Sequence, residues 1–404
     1  MTTSTASAPF AETTARFPLR ALLLLSAAVL VTVTAESLPA GLLPEMAADL
    51  RVAPEQIGSL ISVWALTVIV TSIPLARLVG SLDRRLVLGV SLGLFALANL
   101  ASALAPDYGV LLATRIAAAV AHGVFWSIVI VYATSLLAPS HLGRGLAIVT
   151  AGGTAATAAG LPAATLLAQA LGWRAAFVVL GSAAVVLAVL VLRAMPGSRP
   201  QAVTGSRTRA GFWRDPSLPA IAIFSLASVL IAVAQFASFT YVRPYLSVSA
   251  SVAPEWAAGL LFAYGAAGMV GVAVAGVLAD RFPRSALSVV LLSFAAAFAL
   301  LSWAATSIVA VIGGLLIWGL AFGAAFPLLQ TILMRIATER TRPLASAGIV
   351  VFFNIGIAVG PWLGGIAGGA TVPTMTTLVS ASAMLVAALL GTVGVVLAGR
   401  RRVG

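Results

Sequence analysis

Three ionisable side chains, Glu36, Arg115 and His122, lie deep inside long apolar runs. A charge at the centre of a membrane helix costs about 2.5–3.5 kcal/mol on insertion scales, so its presence asks for a functional reason. A carboxylate, a guanidinium and an imidazole can together hold, repel and pass a proton. Counted from the polar breaks that end their runs at ~1.5 Å per residue, Glu36 lies ~12 Å and Arg115 ~10 Å below the same surface. Matching depths allow an ion pair, or a separation at which each charge tunes the other. Glu36 is then either a proton-carrying carboxylate, whose charge is disfavoured by burial and favoured by Arg115 or a cationic substrate, or one half of a fixed structural pair. His122 lies two helical turns beyond Arg115 on the same face, ~21 Å deep. It reads either as a second proton site or as an imidazole bonded between helices. Trp126, one turn further, either packs or stacks on a flat ligand.

The elements that position these groups follow from composition. Of 404 residues, 61% are hydrophobic and 8% charged, with a mean hydropathy of +1.10. A soluble domain carries about 25% charged residues, so the deficit is roughly threefold. Apolar runs long enough to span a bilayer fall near 20–43, 57–78, 86–105, 108–133, 142–168 and 174–193, then near 217–245, 256–279, 286–305, 307–334, 345–366 and 373–398. The expected organisation is an all-α membrane protein with a disordered tail over 1–19, a six-helix bundle over 20–193, a polar linker over 194–216, a second bundle over 217–398 and a basic tail over 399–404.

Net charge is +12, and every basic residue is Arg. On a soluble protein this would suggest a polyanion partner; here the distribution along the chain decides otherwise. With both termini on one side, that side holds nineteen arginines and the other three, Arg51, Arg174 and Arg243, which leaves Arg115 in the membrane. The positive-inside rule then places both termini in the cytoplasm of a cell-membrane protein and removes the need for a nucleic-acid partner. Absence of Cys excludes disulfides and thiolate chemistry, and two His without HExxH leave no metal site. No GxxxxGK[ST] loop supports ATP-driven work, and no nucleophile–base set supports an enzyme.

The two sets of spans are copies. VAPEQIGSLI (52–61) and VAPEWAAGLL (252–261) are offset by 200 residues, an offset shared by Pro44 and Pro244 and by Gly123 and Gly323. Six spans separate equivalent points, so the copies run in parallel, as in transporters built from two six-helix halves. Further motifs lie in corresponding places. The loop after the eighth span carries Gly276, Asp280, Arg281 and Arg284, and its first-half mate carries Asp83, Arg84 and Arg85. Span 11 holds Gly356, Gly360, Pro361, Gly364 and Gly365 in the pattern GxxxGPxxGG, and span 5 holds a looser version with Gly160 and Pro162. On these motifs the chain resembles the major facilitator superfamily, in its twelve-span branch of proton antiporters that export drugs, sugars or nucleosides. The loop at 276–284 resembles that family's GxLaDrxGrk motif, with Pro283 where Gly is usual.

The resemblance implies alternating access driven by the proton gradient, with no cofactor, in a monomer that binds a small-molecule substrate, protons and the surrounding bilayer. It also implies that spans 1 and 4 line the cavity. Small residues at spacing four let helix backbones approach, and mid-helix Pro bends them, so spans 5 and 11 are expected at the interface between the halves, with plain helix packing the alternative role for their glycines. The Asp–Arg loops are expected to latch the termini side through ion pairs. At the repeat offset, Glu36 maps to Phe236, Arg115 to Leu315 and His122 to Phe322, so the scaffold does not need these ionisable groups. Gln235, Tyr241, Gln330 and Asn354 are, as a group, the expected uncharged lining of the cavity, each of them reading equally as a bridge between helices, while Glu45, Asp49 and Glu55 read as solvated loop charges. A nutrient symporter or facilitator on the same fold is the principal rival to an exporter, and a non-transporting receptor a distant one.

Overall fold

The computed structural model describes residues 17–138, 141–197, 215–338 and 341–400. Regular structure among the described residues is helical: α1 (Leu19–Gly41), α2 (Leu43–Leu50), α3 (Pro54–Val79), α4 (Arg84–Ala103), α5 (Tyr108–Ser135), α6 (Leu142–Ala155), a π turn (Ala156–Gly160), α7 (Leu161–Leu171), α8 (Trp173–Ala194), α9 (Leu218–Phe239), α10 (Val242–Pro244), a second π turn (Tyr245–Ser249), α11 (Pro254–Arg281), α12 (Ala286–Trp303), α13 (Ile308–Ile336), α14 (Arg342–Ile366) and α15 (Pro373–Arg400). Among the described residues, eleven helices are long and apolar enough to cross a membrane, α6 to α7 counting as one, and α14 adds a shorter apolar stretch, Val351–Ile366, as the twelfth crossing. Most of the expected tails and linker, at 1–16, 198–214 and 401–404, lies outside the described residues.

The repeat is visible in the backbone. Pro54 and Pro254 open α3 and α11, followed by Glu55 and Glu255, where a missing N–H costs nothing and a negative charge suits the helix start. Just upstream, Arg51 and Ser251 both adopt left-handed backbone, with φ of 55° and 52°. Neither is Gly, so the turn geometry itself is what the two copies share. Asp83 caps α4 by accepting from the Arg85 and Leu86 N–H groups, and Asp107 caps α5.

Packing follows the same symmetry. In the first half α4 lies against α5 and α8, α1 against α6, and α3 against α5; in the second, α12 lies against α13 and α15, α9 against α14, and α11 against α13. The halves meet where α3 packs on α14 and where α11 packs on the first π turn and α7. Large apolar side chains such as Leu94, Leu97, Val309 and Leu389 point outward, as a lipid-facing surface requires.

Spans 5 and 11 both touch the other half, but most of their motif glycines serve packing within their own bundle. Gly356, Gly360 and Gly364 do not face the other half; a Cβ on each would strike the α9 backbone or the Tyr241 ring of their own half. Gly160 likewise abuts Thr34 on α1. These small residues bring spans 5 and 11 against the first helix of their own bundle, because that crossing is too close for side chains. Contact between halves falls on neighbouring positions: Gly365 beside Glu55, and Gly265 against Ala158. Pro162 lies in the first turn of α7, and Pro361 lies inside α14.

Candidate functional site

Glu36, Arg115 and His122 converge, but not in the expected pairing. Arg115 donates from Nη2 to the Glu36 backbone carbonyl at 3.2 Å, whereas the Glu36 carboxylate lies 3.5 Å from His122 Nε2. No ion pair joins Glu36 to Arg115 among the described salt bridges. The reason is the tilt of the Cα–Cβ bond toward a helix N-terminus. α1 and α5 are antiparallel, so the Glu36 side chain leans toward the termini side while Arg115 leans the other way, and equal depth at the backbone becomes divergence at the tips. His122, two turns further along α5, leans back toward Glu36.

Trp64 on α3 completes the cluster, and nothing in its sequence context marks it. The Arg115 guanidinium lies 4.2 Å from the Trp64 ring centroid and 5.7 Å from that of Phe177. His122 sits in an aromatic cage, edge-on to Trp64 at 5.2 Å and to Trp126 at 6.1 Å, with Phe95 at 6.3 Å. Arg115 is 1% exposed and His122 3%, while the Glu36 side chain keeps 18%. The carboxylate is therefore the accessible member of a buried titratable set. The Nε and Nη1 atoms of Arg115 and Nδ1 of His122 are buried without hydrogen-bond partners, so the cluster is polar, close-packed and incompletely bonded.

On the side opposite the termini, hydrogen bonds staple the halves together. Arg243 donates to the Gly41 carbonyl at 3.2 Å and to Glu45 Oε1 at 2.7 Å. Glu55 accepts from the Ala370 N–H, and Gln169 donates to the Pro254 carbonyl. Tyr241 donates to the Pro361 carbonyl and rests against Gly58, where a Cβ would come 2.8 Å from its hydroxyl. Glu45 and Glu55 are thus not the solvated loop charges expected: each is engaged across the interface. Asp49 is engaged too, accepting from Arg174 and from the Trp173 indole. Those hydrogen bonds, that from Arg174 foremost, hold its carboxyl below the usual carboxylate range.

The fold agrees with comparisons to known proteins. The sequence profile of the Major Facilitator Superfamily matches residues 25–335 and 246–402. The chain belongs to that superfamily. It is 35% identical over 353 residues to the chloramphenicol efflux pump Rv0191 of Mycobacterium tuberculosis, covering 85% of this chain and 84% of the relative. It is 32% identical over 374 residues to a chloramphenicol resistance protein of Streptomyces lividans, covering 91% and 94%. Among solved structures it superposes on the nucleoside transporter NupG with a TM-score of 0.73 at 15% identity, covering 92% and 98%. It superposes equally fully on an inward-facing bacterial homologue of the lysosomal transporter Spinster, with a TM-score of 0.69 at 16% identity, covering 95% and 97%.

In this facilitator-superfamily transporter, a multi-pass membrane protein and not an enzyme, several expected cavity residues lie elsewhere. Gln235 is 2% exposed and fully occupied, donating to the Tyr264 hydroxyl at 2.8 Å and accepting from the Trp318 indole at 2.6 Å. It is a bridge within the second bundle, not a lining group. Tyr241, 1% exposed, belongs to the closed far side. Trp126 and Asn354 are half-buried and Gln330 is exposed.

The termini-side loops also differ from expectation. Asp83 caps α4 rather than forming an ion pair, and Arg85 reaches the Met195 carbonyl. Asp280 pairs at 2.6 Å with Arg335, which also holds the Ala279 carbonyl; Arg281, Arg284 and Gly276 are exposed. Arg335 was legible only as a topological charge, because its partner is distant in sequence. A cavity of about 800 Å³ on the flank of α3, α4 and α5, with walls such as Val90, Leu94 and Leu97, has the apolar lining of a lipid-facing groove and no part in the cluster.

Proposed function

We propose that the protein is a proton-coupled exporter of a small, largely neutral amphiphile of the chloramphenicol type, working by alternating access in the cell membrane with both termini in the cytoplasm. The observation that carries the reading is the buried Glu36–His122–Arg115 set, the Glu36 carboxylate being its accessible member. Relatives named as chloramphenicol efflux and resistance proteins, similar over most of the chain, support the direction and the class of solute. The nineteen-to-three arginine bias supports the orientation, and with it the far-side staples hold the extracellular face closed in this conformation.

In this scheme Glu36 takes a proton from outside when the far side opens and gives it up inside when the far side closes. His122 accepts or returns that proton at 3.5 Å. Arg115, fixed to the α1 backbone rather than to the carboxylate, supplies a constant positive field that favours proton release. No cofactor is required, since the proton gradient supplies the energy, and one chain carries both halves, so a monomer suffices. A half-buried Trp126 beside His122 offers a flat apolar face to an aromatic solute.

The test is accumulation of labelled chloramphenicol in inside-out vesicles energised by an imposed pH gradient. The parent is expected to concentrate the solute, with dissipation of the gradient abolishing uptake. A Glu36→Gln variant that still concentrates it uphill removes Glu36 from the coupling step.

A further inference from the structure

Among the described residues, the most heavily bonded point between the halves is a single side chain. Arg243, 6% exposed, lies just beyond α9, where the helical path breaks at Tyr241 and resumes as α10. Its guanidinium takes two acceptors from the other half: the carbonyl of Gly41, the last residue of α1, and the carboxylate of Glu45 in α2. Arg243 is buried and Glu45 is partly exposed at 26%, with its Oε2 atom buried and without a partner, so breaking the pair leaves a buried guanidinium unpaired, which is costly. Gly41 has a further reason to be Gly, since a Cβ there would strike Leu161 of α7.

The site is one-sided within the repeat. Pro44 and Pro244 correspond at the offset of 200, but Arg243 corresponds to Leu43 and Glu45 to Tyr245. A symmetric turn has therefore been fitted with a cation in one copy and an anion in the other. Gly41 also closes the helix that carries Glu36, five residues upstream. Whatever holds or frees this helix end acts on the segment bearing the carboxylate, through little more than one turn of backbone and Pro39.

We infer that Arg243 is a cross-half positioning residue of the transport cycle: it clamps the end of α1 and the Glu45 carboxylate together, keeps the far side closed while the clamp holds, and ties the movement of Glu36 to its release. The inference rests on the proton-coupled reading above, in which Glu36 carries the proton.

The chain has no Cys, so two introduced thiols label cleanly. Ala48→Cys and Glu255→Cys place nitroxides on exposed far-side positions of the two halves, and pulsed dipolar spectroscopy reads their separation in liposomes without solute or gradient. The parent is expected to give a dominant short distance. Arg243→Gln is expected to raise the long-distance population at least about tenfold. Glu45→Gln, which removes the charge at constant size, should do the same and serves if Arg243→Gln does not fold. Arg243→Lys, able to reach one acceptor but not both, should fall between. Reversing the pair, Arg243→Glu with Glu45→Arg, should recover the short distance only in part, because a carboxylate cannot donate to the Gly41 carbonyl. Unchanged distances in Arg243→Gln and Glu45→Gln overturn the clamp. Failure of the proton-coupled reading shows separately, as uphill uptake retained by Glu36→Gln.

Discussion

The two bundles share a fold and differ in how they treat buried polarity. At corresponding places the first half has Glu36, Trp64, Arg115 and His122, and the second has Phe236, Tyr264, Leu315 and Phe322. The first cluster contains ionisable groups with unpartnered nitrogens and a carboxylate 3.5 Å from its imidazole neighbour. In the second, Gln235 bridges Tyr264 and Trp318 through two short bonds, with both amide ends engaged. A satisfied neutral network has one stable arrangement, whereas an incompletely bonded ionic one can exchange arrangements at modest cost. One half thus has the makings of a switch, and the other those of a fixed support.

Paired substitutions break or sharpen that contrast. The largest effect is expected from Glu36→Gln, which should reduce solute in energised vesicles to the equilibrium level, while Phe236→Leu at the corresponding position leaves accumulation nearly intact. Next, Arg115→Leu installs the residue found at the mate position; transport should fall by about tenfold or more while thermal stability holds or rises, because an ill-satisfied buried cation is replaced by an apolar group. Parallel loss of stability and transport would instead make Arg115 a structural residue. In the second bundle Gln235→Leu should show the reverse signature. It strands the Tyr264 hydroxyl and the Trp318 N–H and should cost about 2–4 kcal/mol of stability, read by thermal unfolding in detergent, with transport per folded molecule little changed.

The smallest effect belongs to the far surface. Asp49 is largely exposed, and hydrogen bonds from Arg174 and Trp173 lower its titration. A depressed carboxylate stabilises the fold above its unfolded titration range and loses that contribution as pH falls through the folded value. Asp49→Asn should therefore cost no more than about 1 kcal/mol at neutral pH after solvent screening, and the two proteins should converge in acid. A difference that persists in acid would mean packing, not charge, is what Asp49 supplies.

The spans, the repeat and the buried trio were legible in the sequence because each is a local signal: hydropathy over about 20 residues, a decamer recurring at a fixed offset, and the rarity of ionisable residues in apolar runs. Pairings were not. Depth counting put Glu36 opposite Arg115, and only the opposed lean of side chains on antiparallel helices sends the carboxylate to His122; that lean was available as a rule and simply outweighs a 2 Å match in depth. Trp64 looks like any other apolar residue until a guanidinium stacks on it. Arg243 with Glu45 and Arg335 with Asp280 join residues 198 and 55 positions apart, and no periodicity links such partners. Gln235 and Tyr241 were chosen for polarity, but polarity inside a membrane also serves to close a bundle or an interface.

The π turn at Ala156–Gly160 bears on how the repeat diverged. Its counterpart, Gly356–Gly360, is ordinary α-helix within α14. The glycines ending both stretches keep the offset of 200, yet the prolines that follow, Pro162 and Pro361, are 199 apart. A wider turn is what a helix forms when it absorbs one extra residue without unwinding. The first copy therefore holds one residue more than the second at this point, accommodated as a bulge rather than expelled into a loop. Because the wider turn takes up the extra residue, the helix beyond it keeps its face toward α1, where Gly41 meets Leu161 and Thr165, while Ala158 within the turn meets Gly265 of the opposite bundle.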